Sequence, residues 1–325
     1  QQFEFPTVYT NQQKLANEKT QAAQMQMAVT ENSLVHDIRS GWYQVAYLKE
    51  KEKLLLYQDT IYSRFLHAAT IRYQTEETSY LEKVAAETKV MDIQNQLKII
   101  GSDIDIQENK LRVLLNDSIG LHFVPLALDE RTSITTQDSS TLVGNPLLAY
   151  TKQQIEVARA EKSVQSAKLL PDFSVGYFNQ SLIGSETGIG GNIATGSNRF
   201  TGVQAGITLP LFYRSYKANI ESAKLKEEMV TINASYYYTV LNGQFNQQLQ
   251  TVLKHQGSLN YYEQKAIPQA ELMIRNAQKS FENGAISYVE YFQNMNQGLD
   301  IKFQYIKTLN EYNQAIINLE YLVGQ

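Results

Sequence analysis

The sequence predicts a mainly α-helical chain with membrane β-strands. The predicted architecture is a long antiparallel α-helical coiled-coil barrel plus a transmembrane β-barrel, each completed only by several copies. Three observations predict it. Residues 11–73 and 215–282 carry helical apolar spacing with little interruption. The runs Asp172–Ile183 and Arg199–Phe212 alternate with a period of two around a glycine-rich loop. The chain also repeats itself at an offset of 208 residues.

The alternating runs set the problem that the rest must solve. In the second, Thr201, Val203, Ala205, Ile207 and Leu209 point one way, and Gly202, Gln204, Gly206 and Thr208 the other. One face is apolar and the other small or polar, so Val203, Ala205, Ile207 and Leu209 form the outward, lipid-facing side. Each run has about a dozen residues, and a tilted membrane strand needs ~9–11. The loop Gly184–Asn198 carries one charge, Glu186. Its Gly188–Gly191 stretch is no phosphate loop, since no Lys-Ser/Thr and no helix follow. A lone hairpin is marginal in water, so it needs partner strands from a repeat in this chain or from other chains.

Composition narrows the classes. Net charge is −4 and 19% of the 325 residues are charged, which gives no basis for a nucleic-acid partner. Cysteine is absent, which removes disulfides and thiolate metal sites and fits an extracytoplasmic protein. The longest uncharged run, Met229–Leu253, contains seven Asn or Gln and is costly in lipid. A membrane crossing by this chain is therefore made by strands.

In chain order, Phe3–Tyr9 resembles the end of the second strand, with Phe5-Pro6 matching Leu209-Pro210 and Tyr9 matching Tyr213. A proline-free helix follows from about Asn11 to Tyr73, ~95 Å at 1.5 Å per residue. Gln74–Thr78 breaks the pattern, and a helix returns over Ser79–Asn116. A link, 117–144, has low periodicity. Asn145-Pro146 opens a helix to Leu170, with Asn as cap and Pro at the first helical position. After the strands, a long helix spans Ser215–Glu282 with Pro268 inside it, which either bends the helix or begins a fresh one. Asn283-Gly284 turns the chain, and Ser287–Val323 returns on a seam of Phe292, Met295, Leu299, Phe303, Ile306, Leu309, Tyr312, Ile316, Leu319 and Val323. The spacing is close to 3.5, which implies a left-handed coil.

Two halves emerge: a first repeat over 1–116, a link over 117–144, and a second repeat over 145–325. Tyr73–Glu82 lies on Phe281–Glu290, and Leu111 on Leu319. The helices 79–116 and 145–170 together match the long helix in length. The first repeat lacks a counterpart of helix 145–170 and of strand 172–183. Roughly 80–110 further residues are therefore expected before Gln1. Four strands per chain cannot close a useful barrel, whereas three chains give twelve strands and twelve helices, in the closed forms that a bilayer permits.

These residues resemble the TolC-like outer membrane factors, the exit ducts of bacterial tripartite efflux pumps. The resemblance rests on Asn145-Pro146-Leu147-Leu148, Leu170-Pro171-Asp172-Phe173-Ser174, Thr208-Leu209-Pro210-Leu211-Phe212, Ile267-Pro268-Gln269-Ala270-Glu271 and Gly284 through Ser287-Tyr288-Val289-Glu290. It covers nearly the whole chain, in the family's order. Phe3 to Tyr9 looks like the heavy-metal branch, in which the duct is sometimes fused to its inner-membrane cation pump. The resemblance implies a homotrimer in outer-membrane lipid, extending into the periplasm. It implies a periplasmic adaptor (membrane fusion protein) docked at the helical tips and an inner-membrane RND pump, with no cofactor and no enzyme activity.

The same resemblance supplies candidate residues. Glu290 falls where the family places an acidic ring at the pore constriction, where three carboxylates would raise one another's pKa and attract cations. The plainer alternative is a solvated helix-face carboxylate like its repeat mate Glu82. Gln293 stands where the archetype has Asp. Ile286 and Phe281 stand where the archetype has the Arg and Tyr of a polar lock. The tips Glu76, Glu77, Thr78, Ser79 and Tyr80, and Asn283, Gly284, Ser287 and Tyr288, are the expected adaptor contacts, or else ordinary hairpin turns. His36, His67, His122 and His255 show no ligand spacing. Other readings of the chain are a periplasmic coiled-coil structural protein without a pore, and a type I secretion duct of the same fold.

Overall fold

The computed structural model describes residues 1–117, 139–180, 199–210 and 212–324. The loop Gly184–Asn198, His122 and most of the link 117–144 lie outside the described residues. The elements are β1 (Gln2–Phe3), α1 (Pro6–Gln74), α2 (Tyr80–Leu114), a 3-10 turn (Ser139–Gly144), α3 (Pro146–Ala167), β2 (Asp172–Gln180), β3 (Phe200–Thr208), α4 (Tyr213–Tyr261), a π turn (Tyr262–Ala266), α5 (Ile267–Glu282) and α6 (Tyr288–Val323). They form two compact units, Gln1–Val29 with Pro146–Thr239, and Thr30–Asn145 with Val240–Gln325.

The first unit holds an antiparallel sheet of order β1-β2-β3. Gln2 and Phe3 pair with Ser174 and Phe173, so the partner strand that the hairpin needs comes partly from the N-terminal segment. The register of β2 on β3 runs from Asp172↔Thr208 to Gln180↔Phe200. Residues directly opposite share a face. Phe173, Val175 and Tyr177 therefore line up with Ile207, Ala205 and Val203. This apolar face is exposed, with Val203 at 78% and Ile207 at 67%. The other face carries Ser174, Gly176, Gln204 and Gly206, with the Phe178 ring against Gly202.

Two sequence expectations are corrected here. β3, at nine residues, is shorter than its alternating run, with Arg199 and Leu209 outside it, while β2 is described over Asp172–Gln180 and the rest of its run lies outside the described residues. Leu209 lies just beyond β3 and not within it, because Pro210 follows and cannot donate to a ladder. The first long helix begins at Pro6, five residues before the expected Asn11, because proline at the first helical position forfeits no bond. Val8 in that extra turn is buried.

The helices of the first unit pack on small residues. Ala22, Ala158, Ala160, Ala167 and Ala234 are all buried. Polar ties add register: the Asn11 amide donates to the Ser163 carbonyl at 3.2 Å, and Gln153 donates to the Glu18 carboxylate at 2.7 Å. Between α3 and α4, Glu227 takes both Arg159 (3.3 Å) and Lys162, and Lys226 reaches Glu161 at 2.6 Å.

The second unit has a larger-residue core. Tyr62 and Phe65 of α1, Val90 and Ile93 of α2, Ile274 of α5 and Met295 and Leu299 of α6 meet in one cluster. The α6 seam lies as expected, with Met295, Leu299, Leu309, Tyr312, Ile316, Leu319 and Val323 buried. Gly298 lets α5 approach: a Cβ there would stand 2.6 Å from Ile274 and 3.2 Å from the Ala270 carbonyl. Asn145 donates its side-chain amide to the Leu322 carbonyl at 3.0 Å, at the C-terminus of α6.

The helix expected over 215–282 is divided. A π turn ends with the Ile267 N–H bonded to the Tyr262 carbonyl, and α5 begins with Pro268 in its first turn. Pro268 therefore stands in the first turn of a new helical segment, as the second sequence reading of this proline has it. The repeat offset is visible in the backbone as well. Asn116 and Gly324 both take positive φ, 50° and 81°, where α2 and α6 end.

Candidate functional site

The two helix-to-helix turns have the same frame. At the first, Thr75 N–H bonds the Ile71 carbonyl at 3.0 Å and Glu77 N–H the Arg72 carbonyl at 2.8 Å. At the second, Asn283 N–H bonds Lys279 at 3.1 Å and Ala285 N–H bonds Ser280 at 2.7 Å. Each closes through a left-handed residue, Glu76 at φ 60° and Gly284 at φ 69°. Glycine takes this conformation freely, whereas glutamate is strained by it. Ser79 and Ser287 then cap α2 and α6, each accepting a 3.3 Å bond from the amide three residues on.

The acidic residue of each Ser-x-x-Glu frame has a different fate. Glu82 is buried, 3% exposed, which corrects the expectation of a solvated helix-face carboxylate. Its carboxylate accepts from the Arg72 guanidinium at 3.3 Å and from the Thr78 hydroxyl. A charge removed from water needs such partners. Glu290 is exposed and completes a capping box, its Oε2 accepting from Ser287 N–H at 2.8 Å and Ser287 Oγ at 2.9 Å. Those bonds, the backbone one first, hold its carboxyl below the usual carboxylate range.

The remaining site residues divide between core and surface. Phe281 stacks on Tyr291 with centroids 4.7 Å apart and meets Phe65 edge-on at 5.5 Å. Ile286 and Tyr288 are half-buried against the same cluster. Phe281 and Ile286 thus serve the packing beneath the turns. Glu76, Glu77, Ser79, Tyr80, Asn283, Gly284 and Ser287 are exposed, and Thr78 is half-buried. Tyr80 rests on Tyr73 at 5.5 Å. Gln293 is exposed one turn along α6 from Glu290, and the exposed residues Gln297, Asp300 and Gln304 continue at three-and-four spacing. This wet stripe lies on the side of α6 away from Met295 and Leu299. Sequence reasoning missed it beyond Gln293, although its spacing is legible. It also missed Arg72 as the partner of Glu82.

Among the described residues, no group of three His, Asp or Glu is placed to hold a metal ion. Among the described residues, no helix is long and apolar enough to cross a membrane. The exposed apolar face of the sheet is the surface that suits lipid, and helices of this length on a short membrane-type sheet define an outer-membrane channel fold. Solved channels of that class superpose on nearly the whole chain. OprN, an outer-membrane channel, matches with a TM-score of 0.83 at 14% identity, covering 98% of this chain and 72% of its own. VceC of Vibrio cholerae matches at 0.81 and 14%, covering 99% and 78%. CmeC of Campylobacter jejuni, also an outer membrane channel, matches at 0.84 and 14%, covering 99% and 69%. No curated protein sequence matches.

The profile of the outer membrane efflux protein family matches residues 139–325, more than half of the sequence, and the chain belongs to that family. It is a TolC-like outer-membrane channel protein and not an enzyme. Its location is the bacterial outer membrane, extending into the periplasm.

Proposed function

We propose that this chain supplies one third of a passive trimeric exit duct in a tripartite, RND-type efflux system. The helical turns dock a periplasmic adaptor, and the duct is gated at the α5–α6 turn. Glu290 and Gln293 line the constriction, with three copies of Glu290 forming its acidic ring. Cations are the cargo, heavy-metal cations being those to which the Phe3–Tyr9 resemblance points. Opening is a shift of helices at the turn, driven by contact with the adaptor.

One observation carries the duct reading. The sheet presents Phe173, Val175, Tyr177, Val203 and Ile207 outward on one exposed face, with small and polar residues behind. In water that face is a liability, and in a bilayer it is required. The gate reading draws on Glu290 being solvent-exposed at a turn whose carboxylate has no partner beyond its own cap among the described residues.

The test is conductance of the full-length protein in planar bilayers. A duct carries ion current, and a coiled-coil structural protein carries none. In Glu290→Gln, cation preference and block by divalent cations weaken. Unchanged selectivity removes Glu290 from the constriction.

A further inference from the structure

The π turn leaves a groove beside α6 of about 510 Å3. Its walls are the Tyr261 and Tyr262 rings, centroids 5.4 Å apart, and the Asn296, Gln297 and Gln304 carboxamides. Asp300 is its one carboxylate. Among the described residues Asp300 makes no ion pair, and the nearby Lys302 is taken by Glu271 at 3.4 Å. The Tyr62 hydroxyl donates to the Asn296 amide oxygen at 3.0 Å, which leaves the amide NH2 to the groove. Burial first, then Tyr291 and Asp300, push the Tyr62 hydroxyl pKa above its usual range.

The donor set selects the occupant. Soft transition metals want sulfur or imidazole, and the groove lining has neither, since Met295 is wholly buried. Small hard dications want several oxygen ligands or retained water, and one carboxylate is a weak anchor for them. An ammonium on an apolar body suits a groove lined by one carboxylate and two tyrosine rings. The volume is that of a small-molecule site.

We propose that this groove is a binding station for amphipathic organic cations, with Asp300 as counter-charge and Tyr261 and Tyr262 as the apolar and π faces. The inference rests on the duct reading for its setting, since the α6 stripe is where passing cargo would meet it. Its chemistry is independent of heavy-metal cargo.

The test is equilibrium dialysis of benzyltrimethylammonium against the purified full-length protein, beside planar-bilayer currents. The wild type binds the probe. Asp300→Asn weakens binding about fivefold, and Tyr261→Leu weakens it less. Binding of tetramethylammonium, which lacks the apolar body, is weaker throughout. Absent or Asp300-independent binding, with current and Glu290-dependent divalent block intact, overturns the groove and spares the duct. A preference of the same site for Mg2+ also overturns it. Asp300-dependent binding in a protein that carries no current supports the groove and overturns the duct.

Discussion

At the α1–α2 turn, the Ser-x-x-Glu carboxylate is buried against Arg72 and Thr78. At the α5–α6 turn, the matching carboxylate lies in solvent on its own cap. The backbone frames coincide down to the left-handed residue, so local sequence does not cause the divergence. The partners do: Arg72 has Ser280 as its repeat equivalent, and serine cannot neutralise a buried carboxylate. One turn is thereby tied to the helix that enters it. The other has no such ion pair among the described residues and is held by cap bonds and by packing on Phe281, over whose ring the Arg72 guanidinium lies at 6.0 Å. The comparison teaches that a repeated frame can supply a fixed turn and a freer one without changing its hydrogen-bond skeleton.

Breaking the tie has the largest expected effect. Arg72→Ala leaves Glu82 buried without its cation. Because the Arg72 side chain is 40% exposed, the cost is set at about 2–3 kcal/mol, below that of a fully buried pair. Thermal unfolding followed by circular dichroism reads it, and Arg72→Ala with Glu82→Gln should recover much of the loss. An undiminished Tm in Arg72→Ala would mean that the pair ties nothing.

The next effect transfers a core residue between repeats. Val90 occupies the place of Gly298, so Gly298→Val asks α5–α6 to pack as α1–α2 does. The Ala270 carbonyl cannot yield as a side chain can, and the cost is about 1–3 kcal/mol. Gly284→Val is no substitute, since that site is open and its constraint is φ.

Exchange of the left-handed residues sharpens the comparison from both sides. Gly284→Glu should destabilise by about 1–2 kcal/mol, and Glu76→Gly should stabilise by up to about 1 kcal/mol after the glycine entropy cost. Opposite signs in the two swaps are the diagnostic result.

The smallest effect is at Glu290, and it depends on pH. Its folded carboxyl lies below the ordinary value, so its contribution is present above about pH 4.5 and is lost as pH falls through the lower folded value. Glu290→Gln should lower Tm slightly at neutral pH and flatten that part of the acid profile. An acid profile identical to the wild type would remove the capping role.

Much of the fold was legible because local chemistry decides it. Asn145-Pro146 and Ser287 mark helix starts, and period-two alternation marks the strands, whereas the start at Pro6 was hidden by its likeness to a strand end. The serine caps of both turns could be read from Ser-x-x-Glu. What could not be read depends on tertiary contact. Ser-x-x-Glu looks the same at Glu82 and Glu290, and only the packing of Arg72 across the turn distinguishes them. The π turn likewise has no local signature beyond Pro268. Phe281 and Ile286 are half-buried beneath the turns, Phe281 against Phe65 and Tyr291, and that packing is not legible from their position in the sequence. Of the candidate constriction, Glu290 and Gln293 remain as exposed groups.

The central claim is that the wet face of α6 lines a water-filled lumen shared by three copies. These 325 residues hold no cysteine, so Gln293→Cys places one addressable thiol among them, on that face. Its full-length variant, reconstituted in a planar bilayer, should lose most of its current when a bulky thiol reagent is added, whereas Val203→Cys on the outward face of the sheet should not. Current that persists unchanged after complete modification of Cys at 293 would contradict the account.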